Sequence, residues 1–226
     1  AYAVDTRKWD QVKWIVMRLP NDYALYTDKL TSAILETGVV SAIHYAISRT
    51  ETKAARPMFR IAAAKAVIKG HVDAAEYLCA RFADNSLKQT VAVTAAMEGN
   101  NFLVKWCLEN MNAFPPEATR ALAYRGNVQA LEWLRSAQID TDSLAVDQLV
   151  LYAALGGHVE AVDWVLDNTE PRFNPEEVCL MVSAKGLIDV LKHLVLIRGF
   201  SYVGSDCARF AKKGSGVACW LLAREE

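Results

Sequence analysis

The chain has 226 residues, 53% of them apolar, and 25 basic side chains stand against 26 acidic ones. That is enough for one large or two small packed domains, or for an array of repeats. Balanced charge argues against a dedicated binder of nucleic acid or anionic membrane, which needs an excess of Lys and Arg, and no apolar run is long enough to span a bilayer.

Seven glycines punctuate the chain: Gly38, Gly70, Gly99, Gly126, Gly157, Gly186 and Gly214, with spacings of 32, 29, 27, 31, 29 and 28. Each reads as the turn between two helices of one unit. The clearest unit is Leu151–Leu166, a helix, a turn at Gly156-Gly157 and a second helix folded back on the first. In chain order the expectation is an initial half unit at 1–20, in which Arg7 takes the glycine's place. Repeats come next at about 21–50, 57–84, 86–112, 115–138, 142–169, 174–199 and 204–226. No Gly/Ser-rich linker divides the chain, so residues 1–226 are expected to form a single all-α repeat domain of about fifteen helices. The least defined connection is Arg49–Arg56, ahead of Pro57.

Counting from each glycine, offsets 2, 5 and 8 of the second helix are apolar. They read Trp9, Val12 and Ile15; Val40, Ile43 and Ala46; Val72, Ala75 and Leu78; Val128, Leu131 and Leu134; Val159, Val162 and Val165; Ile188, Leu191 and Leu194. Steps of three put these on one helix face, which is the face expected to be buried. Offset 3 is often acidic (Asp10, Asp73, Glu160, Asp189), in the first turn where the helix dipole favours a carboxylate. The Gly99 unit departs, with Asn101 and Phe102 at offsets 2 and 3, so its second helix is expected to be rotated or irregular in its first turn.

Offset 7 carries Trp14, Tyr45, Tyr77, Trp106, Trp133, Trp164 and His193, and the last unit, one residue short, presents Trp220. Two readings stand: rings filling the seam between neighbouring second helices, or an aromatic stripe for methylated Lys or unpaired bases. First helices carry small residues three or four places before the glycine: Ala66, Ala95-Ala96, Ala123, Ala153-Ala154 and Ala211. Seven places before it lies an expected buried row of Ala63, Ala92, Val150, Cys179 and Cys207. Helix starts are read at Asn174-Pro175-Glu176-Glu177, Pro115-Pro116-Glu117 and Asp140-Thr141-Asp142-Ser143, and less clearly at Asn85-Ser86 and Ser205-Asp206.

The stretches Gly70–Leu78 (Gly-His-Val-Asp-Ala-Ala-Glu-Tyr-Leu) and Gly157–Leu166 (Gly-His-Val-Glu-Ala-Val-Asp-Trp-Val-Leu) resemble the second-helix signature of ankyrin repeats. The resemblance spans almost the whole chain and implies an ankyrin-like solenoid of stacked helix-turn-helix repeats that binds other proteins. Two departures qualify it. The family's Thr-Pro-Leu-His opening is missing from every unit, and the period averages about 29, against about 33 for the usual unit. The shortfall lies between units, so β-hairpin fingers are expected to be short or absent. TPR, HEAT and nucleic-acid-reading helical repeats have longer periods and lack this junction.

Sites of chemistry are sparse in the sequence. There is no phosphate loop, dinucleotide fingerprint, HExxH or GxSxG, and Gly214-Ser215-Gly216 lacks the spacing and preceding strand of such loops. Cys79, Cys107, Cys179, Cys207 and Cys219 are odd in number and show no CxxC pair, which argues against a metal site or a disulfide framework. They read as small apolar residues in a reducing compartment. Of the histidines His44, His71, His158 and His193, the middle two come directly after the glycine at matching offsets, which reads as structural. The expectation is therefore no enzyme, no cofactor and no metal.

In ankyrin repeats the two residues before the glycine face the concave surface. Here the resemblance assigns that row Glu36, Lys69, Met97, Glu98, Tyr124, Arg125, Lys185, Lys212 and Lys213. Acids lie in the first half and bases in the second, so the row reads either as a groove for an acidic segment of a partner, anchored by Met97 and Tyr124, or as ordinary solvated charge. Three functions remain open: a protein–protein interaction scaffold, a pathogen-secreted effector that perturbs a host protein, and an RNA-binding helical repeat. No nucleic acid, membrane or small-molecule substrate is expected for the first. Its location would be intracellular, cytoplasmic or nuclear, whereas an effector would act inside a host cell. Residue 1 is Ala, so the chain is expected to be a trimmed or processed piece, and the last helix lacks a polar capping unit, which suggests a longer array.

Overall fold

A computed structural model of the chain describes residues 38–50, 56–82, 84–137, 146–170 and 172–223. The initial half unit, Glu36, the helix start at 140–143 and the side chains of Tyr45 and Ala46 lie outside the described residues. Among the described residues all regular structure is helical, and no strand is present. The helices are α1 (Val40–Thr50), α2 (Arg56–Ile68), α3 (Val72–Phe82), α4 (Asn85–Glu98), α5 (Asn101–Asn110), α6 (Pro116–Tyr124) and α7 (Val128–Ser136). They continue as α8 (Val146–Gly156), α9 (Val159–Asn168), α10 (Pro175–Lys185), α11 (Ile188–Leu196), α12 (Gly204–Phe210) and α13 (Val217–Leu222). They fall into two compact units, one reaching to Cys107 and the other starting at Leu108.

Every anchor glycine has a left-handed backbone, with φ from +68° at Gly126 to +88° at Gly157. Only glycine enters that region without steric cost, which is why this residue type recurs there. Five junctions share one hydrogen-bond pattern. The residue after the glycine (His71, Asn100, Asn127, His158, Leu187) donates its N–H to the carbonyl five places back, at 2.8 to 3.2 Å. The glycine N–H itself reaches the carbonyl three places back. This is a Schellman closure of the first helix. The same residue then starts the second helix, because its carbonyl accepts the N–H four places on. One residue thus ends one helix and begins the next, and that fixes the hairpin's angle.

The first unit packs α2 on α3 and α4, α1 on α3, and α3 on α4. In the second unit, α6, α8, α10 and α12 pack one on the next. Each of these also packs on its own hairpin partner, and α7 packs on α9. Burial matches two of the three positions expected on the second helices. Offsets 5 and 8 are buried in α3, α5, α7, α9 and α11, as is offset 5 (Ile43) in α1, and offset 4 joins them (Ala42, Ala74, Leu103, Ala130, Ala161, Val190), while offset 2 is only half-buried and α13 instead buries Val217 and Leu221. Burying Leu191 or Leu194 fully contributes roughly 1.5–3 kcal/mol over leaving it exposed. The row seven places before the glycine is buried from Ala63 to Cys207. Its polar member Thr119 bonds back to Pro115, and buried Ser183, four places further along its helix, bonds to the Cys179 carbonyl at 2.7 Å.

Three local expectations change. The Gly99 helix is neither rotated nor irregular: offsets 4, 5 and 8 are buried as elsewhere, the Asn100 side chain accepts the Leu103 N–H, and Phe102 simply faces solvent where other units place an acid. Helix α4 is capped one residue earlier than Asn85, by Asp84, whose carboxylate accepts the Ser86 N–H at 2.9 Å. Helix α12 starts at Gly204 without a side-chain cap, so Ser205-Asp206 lies inside its first turn. The starts at Pro115-Pro116 and at Asn174-Pro175 are where the sequence puts them.

Candidate functional site

Neighbouring hairpins touch at fixed positions. A Cβ added to Gly38 would fall 2.3 Å from Cγ of His71, and one added to Gly126 would fall 2.4 Å from Cγ of His158. Gly186 meets Ser215 in the same way at 2.8 Å, and Gly157 meets Leu187 at 3.9 Å. His71, His158, Leu187 and Ser215, each the residue after its own hairpin's glycine, therefore rest against the glycine of the hairpin before. This gives His71 and His158 their structural role. On the second helices, offset 7 of one hairpin meets offset 6 of the one before: the Tyr77 hydroxyl and His44 Nδ1 are 2.7 Å apart, as are His193 Nε2 and the Asp163 carboxylate. Tyr77, Trp106, Trp133, Trp164 and His193 are all half-buried.

Arg198, just beyond α11, extends this contact. Its Nε donates to Asp163 at 2.6 Å and its two terminal nitrogens donate to Asp167 at 2.8 and 3.1 Å. The hydrogen bonds from Arg198 hold the Asp167 carboxyl below the usual carboxylate range, and the two aspartates raise the guanidinium in turn.

The row before the glycines lies at the C-terminal ends of first helices. In the first unit it holds exposed Lys69, Met97 and Glu98, with Ile68 beside them; Met97 is 58% and Ile68 57% exposed. In the second unit Tyr124, Arg125, Lys185, Lys212 and Lys213 are exposed. Three successive hairpins meet there. The Lys185 ammonium donates to the Tyr124 hydroxyl and to the Leu155 carbonyl, both at 2.7 Å, and lies 4.5 Å from the Tyr124 ring centroid. The approach depends on Gly156, where a Cβ would stand 2.0 Å from the Tyr124 carbonyl oxygen. The backbone N–H of Lys212 donates to Ser183 O at 3.1 Å, which seats the two lysines against the previous hairpin. Glu36 lies outside the described residues.

One turn earlier on the same face lies a group absent from the row read in the sequence. Arg120 donates to Gln148 and to Glu117, each at 3.0 Å, and its guanidinium is 5.9 Å from the Tyr152 ring centroid. Counting three, four and seven places back from the row reaches it, because those steps return to the same helix face.

Nothing in this arrangement pairs a nucleophile with a base. Burial pushes the thiols of Cys79, Cys107 and Cys179 up to about 12, so each is a neutral thiol near neutrality. Burial raises Cys207 as well, against the opposing hydrogen bond from Ser183. Among the described residues, no group of three or more His, Cys, Asp or Glu side chains is placed to hold a metal ion, and no helix is long and apolar enough to cross a membrane. Comparison with protein-family models, curated proteins and solved structures finds no match.

Proposed function

We propose that this chain is an ankyrin-like solenoid that works as a non-catalytic scaffold, taking a partner protein along the row before the junction glycines. The observation that carries the reading is Lys185, whose ammonium joins Tyr124 and Leu155 from the two preceding hairpins. In the second unit, corresponding positions of three successive hairpins thus meet on one surface rather than at separate points. The shared Schellman closures and the glycine contacts support the stacking. An exposed aromatic ring with Lys185 over it and Arg125 next in sequence, followed by Lys212 and Lys213 on the hairpin after that of Lys185, has the composition of an interface anchor with a basic margin, suited to an acidic segment.

Because Lys185 also holds the hairpins together, Arg125 and Lys213 are the better probes. Arg125→Glu with Lys213→Glu is expected to weaken partner recovery from native cells at least tenfold while the circular dichroism spectrum stays the same. Unchanged recovery by the folded double variant refutes the assignment of the row.

A further inference from the structure

The first helices α6, α8 and α10 run parallel, because corresponding positions meet. Arg120 of α6 reaches Gln148 and Tyr152 of α8, and Lys185 of α10 reaches Leu155 of α8 and Tyr124 of α6. Each helix favours a carboxylate near its start and a cation near its end. Side by side, those preferences give the shared face two edges of opposite sign. Nine places before the glycine stand Glu117, Gln148 and Glu177, all exposed. One place before it stand exposed Arg125 and Lys185. Between the edges, five places before the glycine, lie half-buried Tyr152 and Met181, which is 43% exposed. Steps of four and eight keep these on one helix face. Arg120, also between the edges, is already paired by Glu117 at 3.0 Å, so Glu177 sets the sign of the acidic edge. In the first unit the matching positions of α2 and α4 hold Ile61 and Thr90, and those helices lack this polarity.

Taking the proposed partner surface as the premise, we infer that its occupant in the second unit is a short amphipathic helix lying antiparallel to α8. A purely acidic segment suits the basic edge but is repelled by Glu177 at the other. An antiparallel helix meets both edges, because helices favour acids in the first turn and bases in the last. Its first turn faces Arg125 and Lys185, its last turn faces Glu117 and Glu177, and its apolar stripe covers Tyr152 and Met181. The stretch of α8 from Gln148 to Gly156 is about 12 Å long, so two to three turns of the partner cover the face. The two helix dipoles also oppose each other in this orientation.

Two peptides of about four turns each test this, both cross-linked on the outward face so that both are helical. One carries Glu in its first turn and Lys in its last, with leucines between; the other has Glu and Lys exchanged. In titrations followed by amide NMR shifts at low salt, the acid-first peptide is expected to bind at least about tenfold more tightly, moving Tyr152 and Met181. Glu117→Lys with Glu177→Lys, at an unchanged circular dichroism spectrum, should remove that preference. Glu177→Lys alone, which leaves the Glu117–Arg120 pair intact, should remove about threefold of it. Equal affinities, a preference that survives the double variant, or no shift from either peptide overturns the antiparallel helix. The broader reading fails separately. If Arg125→Glu with Lys213→Glu abolishes recovery of the native partner while Glu117→Lys with Glu177→Lys leaves it whole, the row stands and the helix falls.

Discussion

The hairpins closing at Gly126, Gly157 and Gly186 and the one closing at Gly214 share a plan but differ in how the plan is enforced. The first three end α6, α8 and α10 with the same pair of hydrogen bonds, and α7, α9 and α11 begin on the residue after the glycine. At Gly214 the glycine keeps its left-handed backbone, but Ala211 is already extended, the Ser215 N–H reaches the Lys212 carbonyl three places back rather than one five places back, and the second helix starts from Gly216. The earlier three are each packed by a following hairpin, whereas the one closing at Gly214 exposes Phe210 and Leu222. The difference teaches that the closing hydrogen bonds, and not a left-handed glycine alone, set where the second helix starts.

Truncations sharpen this contrast most. Leu194→Ala, at a fully buried second-helix position, should cost about 3 kcal/mol in urea denaturation, while Leu222→Ala, at an exposed one, should cost less than about 0.5 kcal/mol. Equal losses would mean the last hairpin is as tightly covered as the others. Gly156→Ala comes next, at about 3 kcal/mol or slightly less, because the collision is with the Tyr124 carbonyl and backbone cannot swing aside. At the junctions themselves, Gly126→Ala should cost about 2 kcal/mol, combining left-handed strain with the His158 contact. Gly214→Ala, with open space around it, should cost about 1 kcal/mol from strain alone.

Smaller effects come from the titrating groups. All five cysteines lie among the described residues, and Cys219 is the exposed one. One thiol should therefore react promptly with a disulfide reagent near neutral pH, and the other four only on unfolding. Asp167 should give the least. Its folded pKa lies below its ordinary value, so its contribution is present above about pH 3.9 and fades as pH falls through the folded value. Being exposed, it should shift the acid limb of unfolding only slightly, and Arg198→Gln should remove that shift.

A feature is legible in the sequence to the extent that it depends on one residue or on local spacing. The junction glycines could be read because a left-handed backbone is a demand on one residue. The buried rows could be read because helical spacing is local. The Gly99 helix misled because Asn101 and Phe102 sit at offsets 2 and 3, whereas burial is set by offsets 4, 5 and 8. Of the row residues, the exposure of Met97, Arg125 and the lysines results from helix geometry. That Lys185 would reach Tyr124, 61 positions away, does not, because it depends on how closely Gly156 lets two hairpins approach. Arg198 was hidden for a similar reason: it lies past the end of α11, and its partners are more than thirty positions back.

The central claim is that hairpins stack through junction glycines, as His71 does on Gly38 and His158 on Gly126, and a double-mutant cycle between Gly126 and His158 measures this directly. The crowding is at Cβ and Cγ of His158, the root of the side chain, so the ring cannot rotate out of the way. His158→Gly removes it. Gly126→Ala should then cost about 1 kcal/mol less than it does in the wild-type chain. Strict additivity of the two substitutions, at positions 32 residues apart, would contradict the stacking on which the account is built.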